Sequence, residues 1–178
     1  MFLGDSITAG WIGGGRVPWK KAFEPLKAAN FGIGSDRTEH VLWRVTNGEL
    51  DGPAPKVVVL LIGTNNLGGK PDVVAEGVVN LVGVIHAKQP KSKIILMGIF
   101  PRGKTTDPAK FAENIKTINA RLAKLDDGKN LRFVDLAGTF APGGAFKAEY
   151  FSDGVHLTEK GYQVWTDAIA PILKTLMK

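Results

Sequence analysis

VVVLLIG at residues 57–63 is an apolar run closed by a glycine. A run that is rich in β-branched residues and lacks polar alternation is typical of a strand covered on both faces, as in a parallel sheet. Two further runs share this character, at residues 94–100 and, more briefly, at 131–134. With short strand patterns at 2–3 and 29–31, the sequence predicts a sheet of about five strands.

Helical patterns occupy the intervals between these strands. Apolar residues recur at helical spacing over 74–85, over 111–125 and over 165–176, and Pro171 is expected to kink or shorten the last of these helices. Alternating strands and helices with right-handed crossovers predict a parallel sheet with helices on both faces. Two further helices at 17–27 and 38–47, and two N-caps at Asp107 and Thr158, complete the pattern.

Bulk composition describes an ordinary globular protein. The 178 residues are expected to form one domain, 1–178, with no cysteine for a disulfide or a thiol nucleophile. Basic residues give a net charge of +6 but are scattered, so no nucleic-acid partner is expected. No apolar run is long enough to span a membrane and no signal peptide is visible. The strand pattern begins at the first Met, which leaves room for an upstream segment, and the choice between a cytoplasmic and a secreted location stays open.

Three residues suggest nucleophilic catalysis. Ser6 follows the first strand, and His156 near the other end of the chain has Asp153 three residues before it. A serine hydroxyl needs a base to take its proton, and a histidine needs a carboxylate to fix its tautomer. Ser6 could equally be the N-cap of the next helix, and Asp153 could simply form a turn. If His156 is the base, activity should rise with pH as its ring loses a proton.

Two more segments end strands at the same edge of the sheet, where ligands bind in parallel folds. Asn65 could donate its amide N–H to the oxyanion of a tetrahedral intermediate, together with backbone N–H groups of Ser6 and of the turn at residues 34–35. An Asx turn is the competing interpretation of the Asn65 segment. The Gly32-x-Gly34 pair fails the dinucleotide fingerprint, because Arg37 stands at the third glycine position, and no metal-ligand cluster is visible.

These segments, Gly-Asp-Ser, the 32–36 loop, Gly-Thr-Asn-Asn and Asp-x-x-His, occur in an order that resembles the GDSL/SGNH hydrolase superfamily. Residues 30–36, 40–44 and 47–50 look like the catalytic subunits of platelet-activating factor acetylhydrolase Ib and their bacterial relatives, which include acetylesterases. The resemblance implies a three-layer α/β/α flavodoxin-like fold with sheet order 2-1-3-4-5 and hydrolysis of short acyl esters without a cofactor. It also allows a homodimer.

The same resemblance makes Ser6, Ser35, Asn65 and His156 the family-defining positions. Ser35 departs from the pattern, because the family usually has glycine there, with its backbone N–H lining the oxyanion hole. If that glycine has a positive φ, Ser35 is strained.

The expected function is therefore a serine esterase that hydrolyses acetyl or other short-chain esters of a carbohydrate or small molecule through an acyl-enzyme. A lysophospholipase or thioesterase, and a non-catalytic binding subunit on the same fold, are the alternatives.

Overall fold

The computed structural model describes residues 1–52, 54–103 and 107–178. Five parallel strands form its sheet in the order β2-β1-β3-β4-β5, which confirms the expected order. Leu60 in the central strand lies opposite Leu3 on one side and Leu96 on the other. The strands are β1 (Phe2–Gly4), β2 (Asn30–Gly32), β3 (Val57–Leu61), β4 (Lys93–Met97) and β5 (Leu131–Val134).

The fourth strand ends at Met97 and is therefore shorter than the strand predicted over 94–100. Two residues further on, the backbone N–H of Ile99 donates to Oδ1 of Asn119 at 2.8 Å, and its C=O accepts from Nδ2 of Asn119 at 3.0 Å. A buried side-chain amide therefore takes the place of a neighbouring strand at this point.

Helices connect the strands: α1 (Ser6–Ala9), α2 (Arg16–Ala22), α3 (Thr38–Thr46), α4 (Pro71–Lys88), α5 (Pro108–Leu122), α6 (Ala137–Phe140) and α7 (Glu159–Leu176). Short 3₁₀ turns lie at Gly10–Ile12, Glu24–Leu26, Thr64–Asn66, Ala123–Leu125, Pro142–Gly144 and Ala148–Tyr150. Asp107 and Thr158 cap α5 and α7 as expected, each accepting a backbone N–H. No helix in the described ranges is long and apolar enough to cross a bilayer.

Pro171 does not shorten the last helix, because α7 continues to Leu176, and of the two expected effects only a kink stays a prediction. The buried residues Ile169 and Leu173 lie on either side of the proline and hold both halves of the helix on the sheet. Their burial compensates for the backbone hydrogen bond that a proline within a helix cannot make.

Alternate residues of β3 face two separate apolar layers. Val58 and Leu60 pack with residues of α3, α4 and α5, whereas Val57, Val59 and Leu61 pack with Trp11 and Trp165 on the other face. This period of two explains why the strand is apolar throughout. The sheet is thus covered on both sides, and polar side chains that need solvent or a ligand collect at the carboxyl ends of the strands.

Candidate active site

The turn after β1 presents Ser6 as the first residue of a short helix. The N-cap is Asp5, whose Oδ1 accepts the backbone N–H of Ile7 at 2.9 Å. The interpretation of Ser6 as a cap is therefore wrong, and its hydroxyl is available for another partner. The hydroxyl of the buried Tyr162 on α7 donates to the C=O of Ile7 at 2.6 Å, which anchors this turn to α7.

Gly4 is required at the end of β1 by close packing. A Cβ atom at this position would lie 2.2 Å from the carbonyl oxygen of Leu61 and 2.3 Å from Oγ1 of Thr8. Both distances are far below van der Waals contact, so a side chain here would push the Ser6 turn away from the central strand.

The loop before α7 brings His156 onto Ser6. Nε2 of His156 lies 2.8 Å from Oγ of Ser6, and Nδ1 lies 2.7 Å from Oδ2 of Asp153. The side chains of His156 and Asp153 are 43% and 49% exposed, so a small molecule can reach them. This geometry allows the imidazole to accept a proton from the hydroxyl while the carboxylate holds the opposite ring nitrogen as N–H.

Asp153 has two structural roles at once. Its Oδ1 accepts the backbone N–H groups of Val155 at 2.9 Å and of His156 at 2.8 Å, so the turn-forming interpretation is also correct. Partial desolvation acts to raise the pKa of Asp153, but the backbone and ring donors of His156 and the N–H of Val155 outweigh it and lower the pKa to about 2. The carboxylate therefore stays ionised through the neutral range.

A second carboxyl lies beneath the nucleophile. Asp5 has no exposed surface, and its Oδ2 has no hydrogen-bond partner among the described residues. Burial raises the pKa of Asp5 to about 7, against the opposing effects of the Ile7 N–H and the charge of His156. Asp5 therefore stabilises the Ser6 turn through the N–H of Ile7, and its titration near neutrality was not foreseen from the sequence.

The loop after β2 holds Ser35 in a left-handed conformation with φ of 65°. The positive φ that was expected to strain a serine here is therefore present. The backbone N–H of Asp36 closes the turn by donating to the C=O of Ile33 at 3.3 Å.

Asn65 reaches this same loop from the end of β3. Its Nδ2 donates to the carbonyl oxygen of Asp36 at 2.8 Å, so the side chain bonds across to a neighbouring loop and does not form a local Asx turn. A side-chain amide nitrogen carries two hydrogens, so Nδ2 can donate to one further acceptor. The next residue, Asn66, accepts the backbone N–H of Thr38 at 3.0 Å and fixes the start of α3.

Asp36 was not singled out from the sequence as a site residue. Its carbonyl accepts from Asn65, and a backbone carbonyl carries no sequence signal. The other histidines lie in helices: His40 in α3, where its Nδ1 accepts the N–H of Arg37 at 3.2 Å, and His86 in α4. Within the part of the chain that the structure describes, no group of three or more His, Cys, Asp or Glu residues could hold a metal ion.

Comparison with known proteins identifies the family to which this chain belongs. Residues 2–164 match the GDSL-like lipase/acylhydrolase family, and the chain belongs to that family. It is 41% identical over 163 residues to the alpha2 subunit of platelet-activating factor acetylhydrolase IB from Rattus norvegicus, covering 91% of this chain and 70% of the relative. It is 35% identical over 179 residues to the alpha1 subunit from Bos taurus, covering 99% and 75%.

Solved structures share the fold. A GDSL-like lipase from Bacteroides thetaiotaomicron superimposes with a TM-score of 0.83 at 22% identity, covering 98% of this chain and 86% of the other. This chain therefore has the α/β fold of the GDSL hydrolases, and family membership supports an esterase or related hydrolase.

Proposed function

We propose that the chain is a serine esterase that removes acetyl and other short acyl groups through an acyl-enzyme. The observation that carries this proposal is the unbroken series of contacts from Ser6 through His156 to Asp153. A hydroxyl, an imidazole and a carboxylate in this order constitute the arrangement that activates a serine for attack on an ester.

In the first half of the reaction, Oγ of Ser6 attacks the ester carbonyl carbon and its proton passes to Nε2 of His156. The carbonyl oxygen becomes an oxyanion, which Asn65 Nδ2 and the backbone N–H groups of Ser6 and Ser35 would stabilise. Collapse of the tetrahedral intermediate breaks the bond to the alcohol, which leaves with the proton from His156.

In the second half, His156 takes a proton from water, and the resulting hydroxide attacks the acyl carbon on Ser6. Collapse returns the proton to Ser6 and releases the carboxylic acid. Every proton that moves is carried by His156, so the proposed cycle needs no cofactor.

The acyl group is proposed to be small. The segments that carry Ser6, Ser35 and Asn65 are short strand-end turns that offer little surface to bury a long acyl chain. The curated relatives at 41% and 35% identity are named as acetylhydrolases of platelet-activating factor, which agrees with an acetyl group. A mono-acetylated sugar or a small aryl acetate is the proposed substrate class, with a lipid ester or a thioester as the competing class.

The test is turnover of p-nitrophenyl acetate by the wild-type protein and by the Ser6→Ala variant. We expect turnover by the wild type and a loss of at least about a thousandfold in the variant. Equal rates in the two proteins would contradict the esterase function and favour a non-catalytic binding subunit. Turnover of p-nitrophenyl butyrate and octanoate then ranks the acyl groups, and a preference for octanoate would contradict the short-acyl proposal. Turnover of acetylated sugars and of an acetylated phospholipid ranks the alcohol groups.

A further inference from the structure

Arg44 on α3 contacts several of the segments that form the candidate site. Its Nε donates to Oδ2 of Asp36 at 2.9 Å, and its Nη2 forms an ion pair with the same oxygen at 2.8 Å. Nη2 also donates to the carbonyl oxygens of Phe31 at 3.2 Å and of Gly4 at 3.5 Å. Its Nη1 pairs with Glu49. The guanidinium thus connects the ends of β1 and β2 to the loop that carries Ser35.

These groups are largely removed from water. The side chains of Arg44, Asp36 and Glu49 are 12%, 11% and 13% exposed. A guanidinium offers five N–H donors in a fixed plane, so it can bind several acceptors at set angles, which the point charge of a lysine cannot do. A buried guanidinium of this kind therefore fixes the positions of its acceptors and also neutralises the negative charge of the carboxylates.

The Ser35 turn needs an external restraint of this kind. A serine with φ of 65° is in a region that costs about 1 kcal/mol relative to an ordinary conformation, and such strain persists only where the surrounding structure enforces it. Asp36, the next residue, is fixed through its side chain by Arg44 and through its carbonyl by Asn65. The contacts of Arg44 and Asn65 together form a clamp on Asp36. This Asp36 clamp restrains both candidate oxyanion donors, the Ser35 N–H and the Asn65 amide.

We propose that Arg44 is a positioning residue for the oxyanion hole, acting through Asp36, without contact to the reacting atoms. This inference rests on the proposed esterase function. It requires that loss of the Arg44 guanidinium lower kcat, because the oxyanion forms after substrate binding, and leave KM nearly unchanged. A role in stability alone would change the unfolding midpoint but not the kcat of the protein that remains folded.

The test uses p-nitrophenyl acetate kinetics with the variants Arg44→Lys and Arg44→Met. We expect kcat to fall about tenfold or more in Arg44→Lys and further in Arg44→Met, with KM within about twofold. Two controls accompany them. Glu49→Gln weakens the ion pair with Arg44 in the same buried cluster but keeps the Asp36 clamp. Arg121→Met removes the exposed ion pair between Arg121 on α5 and Glu76 on α4. Both controls should keep kcat within about twofold, even where the unfolding midpoint falls.

A second comparison separates positioning from general damage. Ser35→Gly removes the strain that the clamp has to enforce, so Arg44→Lys should cost at least several-fold less kcat in the S35G background than in the wild type. An equal loss in both backgrounds, or an unchanged kcat in Arg44→Lys, would overturn the inference while leaving the esterase intact. A wild-type protein without ester turnover would instead overturn the proposed function, and this inference with it.

Discussion

The hydroxyl oxygen of Ser6 lies 2.8 Å from Nε2 of His156, although 150 positions in the chain separate the two residues. The contact forms because β1 ends at the carboxyl edge of the sheet and the loop before α7 returns to the same edge. A proton can pass between these atoms without any rearrangement of the backbone.

Asn65 and Asn66 are neighbours with different partners, so they form a matched pair. Asn65→Ala should lower kcat about a hundred- to a thousandfold, since an oxyanion donor contributes roughly 3–4 kcal/mol to lowering the barrier. Asn66→Ala removes the acceptor for the Thr38 N–H and should lower the unfolding midpoint with a much smaller effect on kcat. Steady-state kinetics and thermal unfolding of both variants check this. Equal kcat losses in the two would argue against a specific role for Asn65.

Asp153→Asn keeps an oxygen that can accept the two backbone N–H groups of its loop, but it places an amide against His156. The imidazole then loses its carboxylate and favours the wrong tautomer, so kcat should fall about a thousandfold or more while the protein stays folded. Asp127→Asn is the control, because Asp127 likewise accepts backbone N–H groups, three in its case, and lies in the turn before β5. Activity that survives Asp153→Asn would remove Asp153 from the proposed machinery.

Asp5 should make the protein less stable as the pH rises. Its pKa of about 7 lies above the ordinary value of 3.8, so the folded state keeps a proton that the unfolded state has released. The stability that this proton provides is complete below about pH 4 and is lost as the pH rises through 7. Between pH 5 and 8 the difference is about 2–3 kcal/mol.

Urea unfolding of the wild type and Asp5→Asn at pH 5 and pH 8 measures this effect. The asparagine does not titrate, so the variant should gain stability relative to the wild type on going from pH 5 to pH 8. Any fixed cost of the substitution cancels in that difference. A relative stability that does not change with pH would mean that Asp5 is already ionised at pH 5 in the folded protein.

Ser35 and Lys27 both have left-handed backbone conformations, with φ of 65° and 53°, at opposite ends of β2. A β-branched residue is poorly tolerated there, so Ser35→Val and Lys27→Val should both lower the unfolding midpoint. Only Ser35→Val should also lower kcat, because only its turn carries a candidate oxyanion donor. Parallel kinetics and melting curves distinguish the two, and an unaffected kcat in Ser35→Val would contradict the proposed donor.

The sequence predicted the strands well, because runs such as 57–62 are apolar on both faces, as in a parallel sheet. The order of the strands was expected only from the resemblance to the GDSL/SGNH hydrolases. It also placed Ser6, Asn65, Asp153 and His156 at one edge of the sheet. Strand and helix limits were harder to predict. The end of β4 depends on the buried amide of Asn119, and the continuation of α7 past Pro171 depends on packing of its flanking residues.

Two other features were outside the reach of the sequence. The titration of Asp5 arises from complete burial, which is a property of the assembled core. The cluster of Arg44 with Asp36 and Glu49 arises from two loops and a helix that meet in space, and an arginine within an amphipathic helix gives no local sign of such a role. Both effects follow from tertiary contacts that a local pattern does not encode.

The most direct test of the central contact is covalent trapping of the nucleophile. The protein is incubated with an alkyl fluorophosphonate, which reacts with an activated serine, and is then digested for mass spectrometry. We expect one adduct per chain, on the peptide that contains Ser6, with loss of esterase activity in proportion to labelling, and a much slower reaction in His156→Ala. Labelling at another residue, or labelling of Ser6 at the same rate without His156, would contradict the activation of Ser6 by His156.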